Sequence, residues 1–327
     1  MIFLETNSMQ TWDRPGYDLC GNSRHGSYCL STDIFSGEAC VEMIKFSRRN
    51  LLCSSAAVLF LGAKPSKAEE AFRLGLTPVF LDNDAEVIDW LRAALTTALG
   101  VPIELQQRRT YEEVTGLLLE GSVDAAWLCG YPYLQHRDAL SLVAVPVWNG
   151  KPLYQSYLIV GTGDDARKLE DLQGGTHAFS DPDSNSGFLV TASDLARRGY
   201  RPEGFFRRSI FTYGHRNVVR AVSDGLVRSG SVDGYVWEAL AKAEPELMKG
   251  TKVISRSEWL GFPPFCARAD RIGTPRLQAF QKAILGLSQT NEGRVALGLL
   301  QLDGMTTATP DLFDGIDRRI RDYENLR

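Results

Sequence analysis

The stretch Gly121-Ser122-Val123-Asp124 runs into the apolar segment Ala125–Trp127, and Gly230-Ser231-Val232-Asp233 repeats its first four residues later in the chain. Each copy follows a segment with apolar residues at helical spacing and precedes an apolar segment typical of a strand. A helix–turn–strand unit that occurs twice predicts two similar α/β lobes. Two such lobes with a cleft between them are suited to closing around a small ligand.

Composition narrows the classes of protein to consider. The chain has 327 residues, which favours two domains at about 100–200 residues each. Its hydrophobic fraction of 44% and charged fraction of 23% are typical of globular proteins. A formal net charge of -4 gives no basic footprint for nucleic acid, and no apolar run approaches the roughly 18 residues of a membrane span. We therefore expect neither a nucleic-acid partner nor an integral membrane span.

The N-terminal region has the pattern of an export signal. Arg48-Arg49 stands directly before a short apolar run, and Ser66-Lys67-Ala68 supplies small residues for cleavage. This pattern predicts a twin-arginine-type signal over residues 43–68 and a periplasmic mature protein. Residues 1–42 show no periodicity, so we interpret them as a mis-assigned start or a disordered extension ahead of Met43.

The remaining chain alternates strand and helix patterns. A strand–helix–strand–helix–strand series predicts parallel strands joined by right-handed crossovers, and a second series of the same kind follows. We place residues 69–162 and 256–327 in the first lobe, the latter including the C-terminal helices, and residues 163–255 in the second. Predicted strands are 72–76, 101–105, 125–128, 142–148, 154–160, 176–180, 209–211 and 233–236. Predicted helices are 85–99, 111–120, 186–198, 217–228, 275–300 and 310–325.

The segment Asp181-Pro182-Asp183-Ser184-Asn185-Ser186-Gly187 lies between a predicted strand and a predicted helix. Ser and Asn are preferred helix N-caps, and a helix start presents N–H groups and a positive dipole end to an anion. Ligands of open α/β folds bind beyond the carboxyl ends of strands. We therefore predict that Ser184, Asn185, Ser186 and Gly187 bind an oxyanion; the alternative is a well-capped helix without a ligand.

Further candidates are a histidine and three tyrosines. His215 follows a strand of the second series and can donate to an anion from either ring nitrogen once protonated, although such a residue is often a cap or surface group. Tyr111 begins a predicted helix, Tyr131 follows the third strand, and Tyr235 lies in the last predicted strand of the second series. A tyrosine offers an O–H donor on a rigid apolar body, which suits a pocket wall.

Cys129 follows the third predicted strand and allows three interpretations: a small buried residue, a soft ligand for a thiophilic species, or a nucleophile. Whether it pairs with Cys266 stays open. Asp124 and Asp233 follow the Gly-Ser-Val turns, and we expect turn or cap roles for both. The sequence has no phosphate-binding loop, no H-E-x-x-H and no C-x-x-C pair, so we predict no cofactor and no metal.

From about residue 71 to residue 300 the chain resembles the periplasmic phosphate/phosphonate substrate-binding proteins of ABC transporters. Besides the motifs above, the resemblance rests on Tyr154-Gln155-Ser156-Tyr157, on Gly214-His215 and on Gly261-Phe262-Pro263-Pro264-Phe265. It implies a type 2 periplasmic-binding-protein clamshell, an α/β fold in which each lobe is a mixed sheet flanked by helices. It also implies a binding protein, not an enzyme, that captures a phosphonate-, phosphate- or phosphite-like oxyanion by hinge closure for an ABC permease.

In that family the Ser/Thr-rich helix start, the Gly-His segment and cleft tyrosines hold the oxyanion. By resemblance these roles fall to Ser184, Asn185, Ser186, His215 and the tyrosines. Cys129 departs from the family pattern, in which a small residue is usual. A related branch binds arsenite and reports to a sensor histidine kinase, so a periplasmic arsenite sensor acting through Cys129 is the alternative hypothesis, and an enzyme using Cys129 as nucleophile is a third.

Overall fold

The computed structural model describes residues 70–78 and 85–326, so the predicted extension 1–42 and the predicted export signal 43–68 lie outside the described residues. None of the helices in these ranges is long and apolar enough to cross a membrane. The strands, β1 to β13 in chain order, are Phe72–Leu76, Ile103–Gln107, Ala125–Trp127, Leu140–Val147, Leu153–Tyr154, Ser156–Gly161, Thr176–Phe179, Arg208–Phe211, Ser229–Asp233, Thr251–Arg256, Leu260–Gly261, Phe265–Arg268 and Gly304–Thr306.

The helices, α1 to α11 in chain order, are Ala85–Leu99, Tyr111–Leu119, Gly130–Gln135, Val190–Ala196, Pro202–Phe205, His215–Ser223, Gly234–Ala243, Pro245–Met248, Pro275–Leu285, Asn291–Leu299 and Asp314–Glu324. A π-helical turn, Asn185–Leu189, precedes α4 directly. Short 3₁₀ segments are Leu169–Leu172, Ala269–Arg271, Leu287–Gln289 and Pro310–Phe313.

The first sheet has the strand order β13-β4-β12-β3-β1-β2. Strand β1 pairs in parallel with β2 and with β3, which confirms the predicted β-α-β-α-β unit. Strand β12 inserts antiparallel between β3 and β4, so the chain returns to this sheet late in the sequence. The sheet is therefore mixed, and helices α1, α2 and α9 pack against it.

The second sheet has the order β10-β6-β9-β7-β8. Strand β7 is parallel to β8 and β9, while β6 runs antiparallel to both β9 and β10. The predicted first lobe, residues 69–162, includes β6, yet residues Ser156 to Val160 of this strand pair with β9 of the second sheet. The fold is thus an α/β clamshell of two lobes, and we propose that the chain crosses near residue 155 instead of residue 162.

The two Gly-Ser-Val-Asp copies differ in structure. The first forms the turn before β3, with Gly121 at φ +76°, whereas the second lies inside β9. The predicted strand 233–236 is therefore wrong, because Asp233 ends β9 and its Oδ1 accepts the N–H groups of Tyr235 and Val236 as the N-cap of α7. A carboxylate that satisfies two free N–H groups favours a helix start over a continued strand.

The structural counterpart of Asp233 is Cys129, the N-cap residue of α3 at the end of the β3 segment. The glycine that follows each cap is held tightly. A Cβ added to Gly130 would lie 2.6 Å from Ile316, and one added to Gly234 would lie 2.6 Å from Tyr157. The two lobes therefore correspond where a strand, an N-cap residue, a glycine and a helix follow one another. This correspondence aligns Cys129 with Asp233, whereas the repeated Gly-Ser-Val-Asp sequence aligns Asp124 with Asp233.

The predicted helix 186–198 is not a single regular α-helix. Residues Asn185–Leu189 form a π-helical turn, in which the N–H of Leu189 donates to the carbonyl of Ser184, and α4 begins only at Val190. Single π turns are frequent at functional sites, because the widened turn redirects side chains. Helix α11 packs against this turn, against α4 and against α3, so it supports the ends of both sheets.

Candidate functional site

Side chains from both sheets meet in one buried group beyond the carboxyl ends of the parallel strands. None of them is more than 2% exposed, so their polar atoms depend on one another or on a ligand for hydrogen bonds. We call this group the polar cluster. Its members are Tyr111, Cys129, Tyr154, Asp181, Ser184, Asn185, Ser186, His215 and Asp233.

Tyr111 joins the first lobe to two segments of the second. It is the first residue of α2, whose start is fixed by a capping box between Thr110 and Glu113. Its backbone N–H donates to Oδ2 of Asp181 over 3.2 Å, and its hydroxyl lies 3.2 Å from Nε2 of His215. The α2 N-terminus is thereby tied to the loop after β7 and to the start of α6.

Only one ring nitrogen of His215, Nε2, faces the first lobe. Its Nδ1 accepts the backbone N–H of Asp233 over 3.1 Å, and burial lowers the pKa of the ring to about 3. The imidazole is therefore neutral near pH 7 and carries its proton on Nε2, facing Tyr111. This corrects the expectation that a protonated ring donates from either nitrogen: Nδ1 is committed to the backbone of its own lobe.

Cys129, the N-cap residue of α3, and Tyr154, in β5, both contact Asn185. The N–H of Asn185 donates to Sγ of Cys129 over 3.3 Å, and Nδ2 of Asn185 donates to the Tyr154 hydroxyl over 2.8 Å. Burial raises the pKa of the Cys129 thiol to about 11, although backbone N–H groups of Asn185 and Tyr131 oppose the shift. The thiol is thus neutral and accepts hydrogen bonds, which disfavours a nucleophilic role, since the thiolate is the reactive form.

The loop at residues 184–187 is packed to fixed positions. Oγ of Ser184 accepts the N–H of Gly187 over 2.9 Å, which confirms the predicted capping pattern. A Cβ on Gly187 would lie 1.8 Å from Oγ of Ser180, so only glycine fits. The carbonyl of Ser186 accepts the hydroxyl of Ser156 over 2.6 Å.

Two polar atoms at this loop have no hydrogen-bond partner within the described residues. They are Oγ of Ser180, at the end of β7, and Oδ1 of Asn185. A buried polar atom without a partner costs about 1–3 kcal/mol, so such atoms mark places where a bound molecule is stabilising. Asn185 lies in the loop that the sequence predicts as the oxyanion site, and Ser180 contacts that loop through its backbone N–H, which donates to the carbonyl of Gly187.

Burial also disfavours ionisation of the acids at the cluster. It raises the pKa of Asp233 to about 7 and raises the pKa of Asp181. The pKa of Asp183 rises to about 6 through burial, then through the charges of Asp181 and Glu112. Hydroxyls, amides and the neutral imidazole therefore supply the donors, and the carboxyl groups supply acceptors.

The other two predicted tyrosines, Tyr131 and Tyr235, have different surroundings. Tyr131 lies in α3, close to Cys129 along the chain, and is buried. Tyr235 lies in α7, not in a strand, and its hydroxyl donates to the carbonyl of Leu300. That bond commits the Tyr235 hydroxyl outside the cluster, while its ring lines a neighbouring cavity.

Sequence reasoning did not single out Tyr154, Asp181 and Asp233 as site residues. Tyr154 stood in a quoted motif, but its contact with Asn185 spans 31 residues and needs the crossing ribbon β5–β11. Asp124, in contrast, is structural as expected: it accepts the N–H of Arg73 and forms an ion pair with Arg276.

Cys129 and Cys266 are both free thiols in the described part of the chain. Cys266 is fully buried in β12 and pairs opposite Ala126, in the middle of the first sheet. Among the described residues, no group of three or more His, Cys, Asp or Glu side chains is arranged to hold a metal ion.

Similarity to solved structures supports this architecture. A binding-protein component of an ABC phosphonate transporter from Pseudomonas aeruginosa superposes with a TM-score of 0.72 at 20% identity, covering 78% of this chain and 87% of that one. PhnD1 from Prochlorococcus marinus in complex with methylphosphonate gives 0.68 at 16% identity, covering 78% and 98%. A histidine kinase sensor domain with similarity to periplasmic binding proteins gives 0.53 at 15% identity, covering 72% and 99%.

At these identities the structural likeness establishes the fold, which transporters and sensors share. The sequence match is more specific. Residues 74–313 match the family described as the periplasmic substrate-binding protein of phosphonate ABC transporters, and this span contains the whole polar cluster. This protein therefore belongs to the phosphonate substrate-binding protein family of ABC transporters.

Proposed function

We propose that this protein captures a small phosphorus oxyanion in the polar cluster between its lobes and delivers it to an ABC permease. The supporting observation is the set of direct contacts between lobes: Tyr111 with His215, Tyr111 with Asp181, and Cys129 with Asn185. Each contact joins a group of the first lobe to a group at a strand end of the second. A ligand that bridges the same groups favours the closed state by its differential contacts.

The donors available to such a ligand are neutral and pre-positioned. Nε2 of His215 carries the proton, Tyr111 contributes a hydroxyl, and the loop contributes Ser184, Asn185 and Ser186. Each of these side chains is fixed by packing or by a bond to the backbone, so little side-chain entropy is lost on binding. Hydrogen bonds to a charged acceptor are worth about 1.5–3 kcal/mol each, which suits capture of an anion without a buried cation.

The acids beside these donors favour a ligand that still carries a proton. Asp181 and Asp233 are buried, and each accepts backbone N–H groups. A fully ionised tetrahedral anion such as sulfate has only acceptor oxygens and cannot donate to these carboxyl groups, whereas the P–OH of a phosphonate, phosphate or phosphite monoanion can donate to a carboxyl oxygen. The methylphosphonate in the Prochlorococcus marinus relative belongs to this ligand class.

The sensor hypothesis receives less support from the site. Thiophilic ligands bind the thiolate, and burial raises the pKa of Cys129 to about 11, so binding would have to release a firmly held proton. Cys266, the other free thiol in the described ranges, is buried within the first sheet. Cys129 thus fits better as a hydrogen-bond acceptor for the Asn185 N–H than as a ligand for arsenite.

We further propose that the chain reaches the periplasm through the twin-arginine pattern at Arg48-Arg49. Replacing both residues by lysine should retain the protein in the cytoplasm, as measured by cell fractionation. Export of the variant at the rate of the unmodified chain would show that another signal is used.

Calorimetric titration of the full chain tests the ligand class. We expect heats of binding for methylphosphonate, phosphite or phosphate, and none for sulfate, with no change on adding a thiol reductant. Arsenite binding that is lost in Cys129→Ala, together with no binding of any phosphorus oxyanion, would reverse the assignment in favour of the sensor.

A further inference from the structure

A cavity of about 260 Å³ lies between α1 of the first lobe and α7 of the second. Its first-lobe wall comes from the end of β1, from Trp127 in β3 and from α1; its second-lobe wall comes from Tyr235, Val236 and Ala239 in α7. A water occupies about 30 Å³ in the liquid, so the cavity has room for a substituent much larger than a methyl group.

The walls are chiefly apolar. Leu76, Val87 and Leu91 line one side, and Val236, Ala239 and Leu299 line the other. Three polar atoms of the walls are already bonded to carbonyls: Nε1 of Trp127 donates to Pro263 O, the Thr77 hydroxyl donates to Trp127 O and the Tyr235 hydroxyl donates to Leu300 O.

Residues of the cavity wall lie close along the chain to members of the polar cluster. Arg109 and Tyr213 line it, and they stand two residues before Tyr111 and His215, whose side chains touch. Tyr213 has φ +53°, an uncommon conformation for a non-glycine residue, and its ring lies 5.5 Å from the Arg109 guanidinium. Strained residues that persist near a site are often held there for positioning.

Taking the proposed oxyanion site as given, we propose that the cavity holds the organic substituent of the ligand, and that the substituent is an uncharged alkyl or aryl group. The phosphonate head lies at Tyr111 and His215, and the carbon chain extends between α1 and α7. Among the described lining residues there is no carboxylate, and the charged ones are Arg108 and Arg109. An ammonium group on the substituent therefore gains no counter-charge from the described lining residues.

A chain-length series on the full protein tests this inference. Calorimetry with methyl-, propyl- and hexylphosphonate should show affinity rising about fourfold per added methylene, at about 0.8 kcal/mol each, until the cavity is filled. The heat capacity change should become more negative along the series, because apolar surface is buried. 2-Aminoethylphosphonate should bind more weakly than propylphosphonate.

A matched pair of variants in α7 localises the effect. Ala239 lines the cavity, whereas Ala243 is exposed at the end of the same helix. Ala239→Leu should reduce the hexyl-to-methyl affinity ratio at least about tenfold by overfilling the cavity, and Ala243→Leu should leave the ratio unchanged. Should Ala239→Leu fail to fold, the chain-length series on the unmodified protein decides alone.

Two outcomes separate this inference from the proposed function. Methylphosphonate binding with flat or falling affinity along the series would overturn the apolar-substituent site and leave the oxyanion site standing. No binding of any phosphonate would overturn both.

Discussion

The hydroxyl of Tyr111 lies 3.2 Å from Nε2 of His215, so the first residue of a helix in one lobe touches the first residue of a helix in the other. Both groups are neutral: burial raises the pKa of Tyr111 well above its usual value and lowers the pKa of His215 to about 3. The two lobes are thus joined at this point by a hydrogen bond without charge, and a hydrogen bond to a charged oxygen is stronger.

Removing the Tyr111 hydroxyl should weaken ligand binding. In Tyr111→Phe we expect methylphosphonate affinity to fall about 10- to 100-fold, because a hydrogen bond to a charged acceptor is worth roughly 1.5–3 kcal/mol. Titration calorimetry measures this directly. Tyr200→Phe is the control, since Tyr200 is 39% exposed, and it should bind like the unmodified protein. Equal affinity in both variants would remove Tyr111 from the site.

Gly187 should tolerate no side chain. Its added Cβ would lie 1.8 Å from Oγ of Ser180, so Gly187→Ala should lower the free energy of unfolding by about 1–3 kcal/mol or more. Gly298, in α10, is the control, because a Cβ added there would have open space around it. Gly298→Ala should raise the free energy of unfolding by up to about 1 kcal/mol. Denaturant titration compares the two; a Gly187→Ala protein as stable as the parent would contradict the packing.

The Cys129 thiol should be unreactive in the folded protein. With a pKa of about 11, about one thiol in a thousand is ionised at pH 8, and the side chain is 2% exposed. Iodoacetamide labelling followed by peptide mass mapping should show modification of Cys129 only after denaturation. Rapid labelling in the native state would instead indicate an activated thiol and revive the nucleophile hypothesis.

A second buried histidine should make stability depend on pH. His177 is fully buried between the hydroxyls of Ser229 and Ser231 and stacks on Phe206, and burial lowers its pKa to about 3. The unfolded chain, with a pKa near 6.5, binds the proton more readily, so this residue's contribution to stability is lost as pH falls from about 6.5 towards 3.

His177→Gln isolates that contribution from the other titrating groups. The substitution should destabilise the protein at pH 7.5, and the loss should shrink by about 2 kcal/mol at pH 5, where the imidazole of the parent protein opposes folding. Urea titrations of parent and variant at both pH values give the difference. An identical loss at pH 7.5 and pH 5 would show that His177 does not titrate in this range.

Much of the fold could be predicted from periodicity. Helix α1 and strand β1 fall at their predicted bounds, because their apolar residues face one core and their ends carry clear breakers. The internal repeat predicts two lobes, but it aligns the wrong residues. In the structure, Cys129 and Asp233 hold the same position, as the N-cap residues of α3 and α7, whereas the sequence repeat aligns Asp124 with Asp233. Sequence identity over four residues carried no information about strand register, which cross-strand pairing decides.

The site was predictable only where its chemistry is local. Ser184 caps its own helix start, a pattern visible in the sequence. The contact between Tyr111 and His215 joins residues 104 positions apart, and the donation from Tyr235 to Leu300 joins residues 65 apart. Such contacts depend on how the two sheets close, which no local pattern records. The cavity between α1 and α7 is likewise visible only once the lobes are assembled.

The most direct measurement compares His215→Gln with His136→Gln, since His215 is buried in the cluster and His136 is exposed on the surface. Calorimetric titration with methylphosphonate should show a loss of at least about tenfold for His215→Gln, because the flexible glutamine amide does not hold its N–H donor where the rigid imidazole holds Nε2–H, and no change for His136→Gln. Unchanged affinity in the folded His215→Gln protein would contradict an oxyanion site at the meeting point of the two lobes.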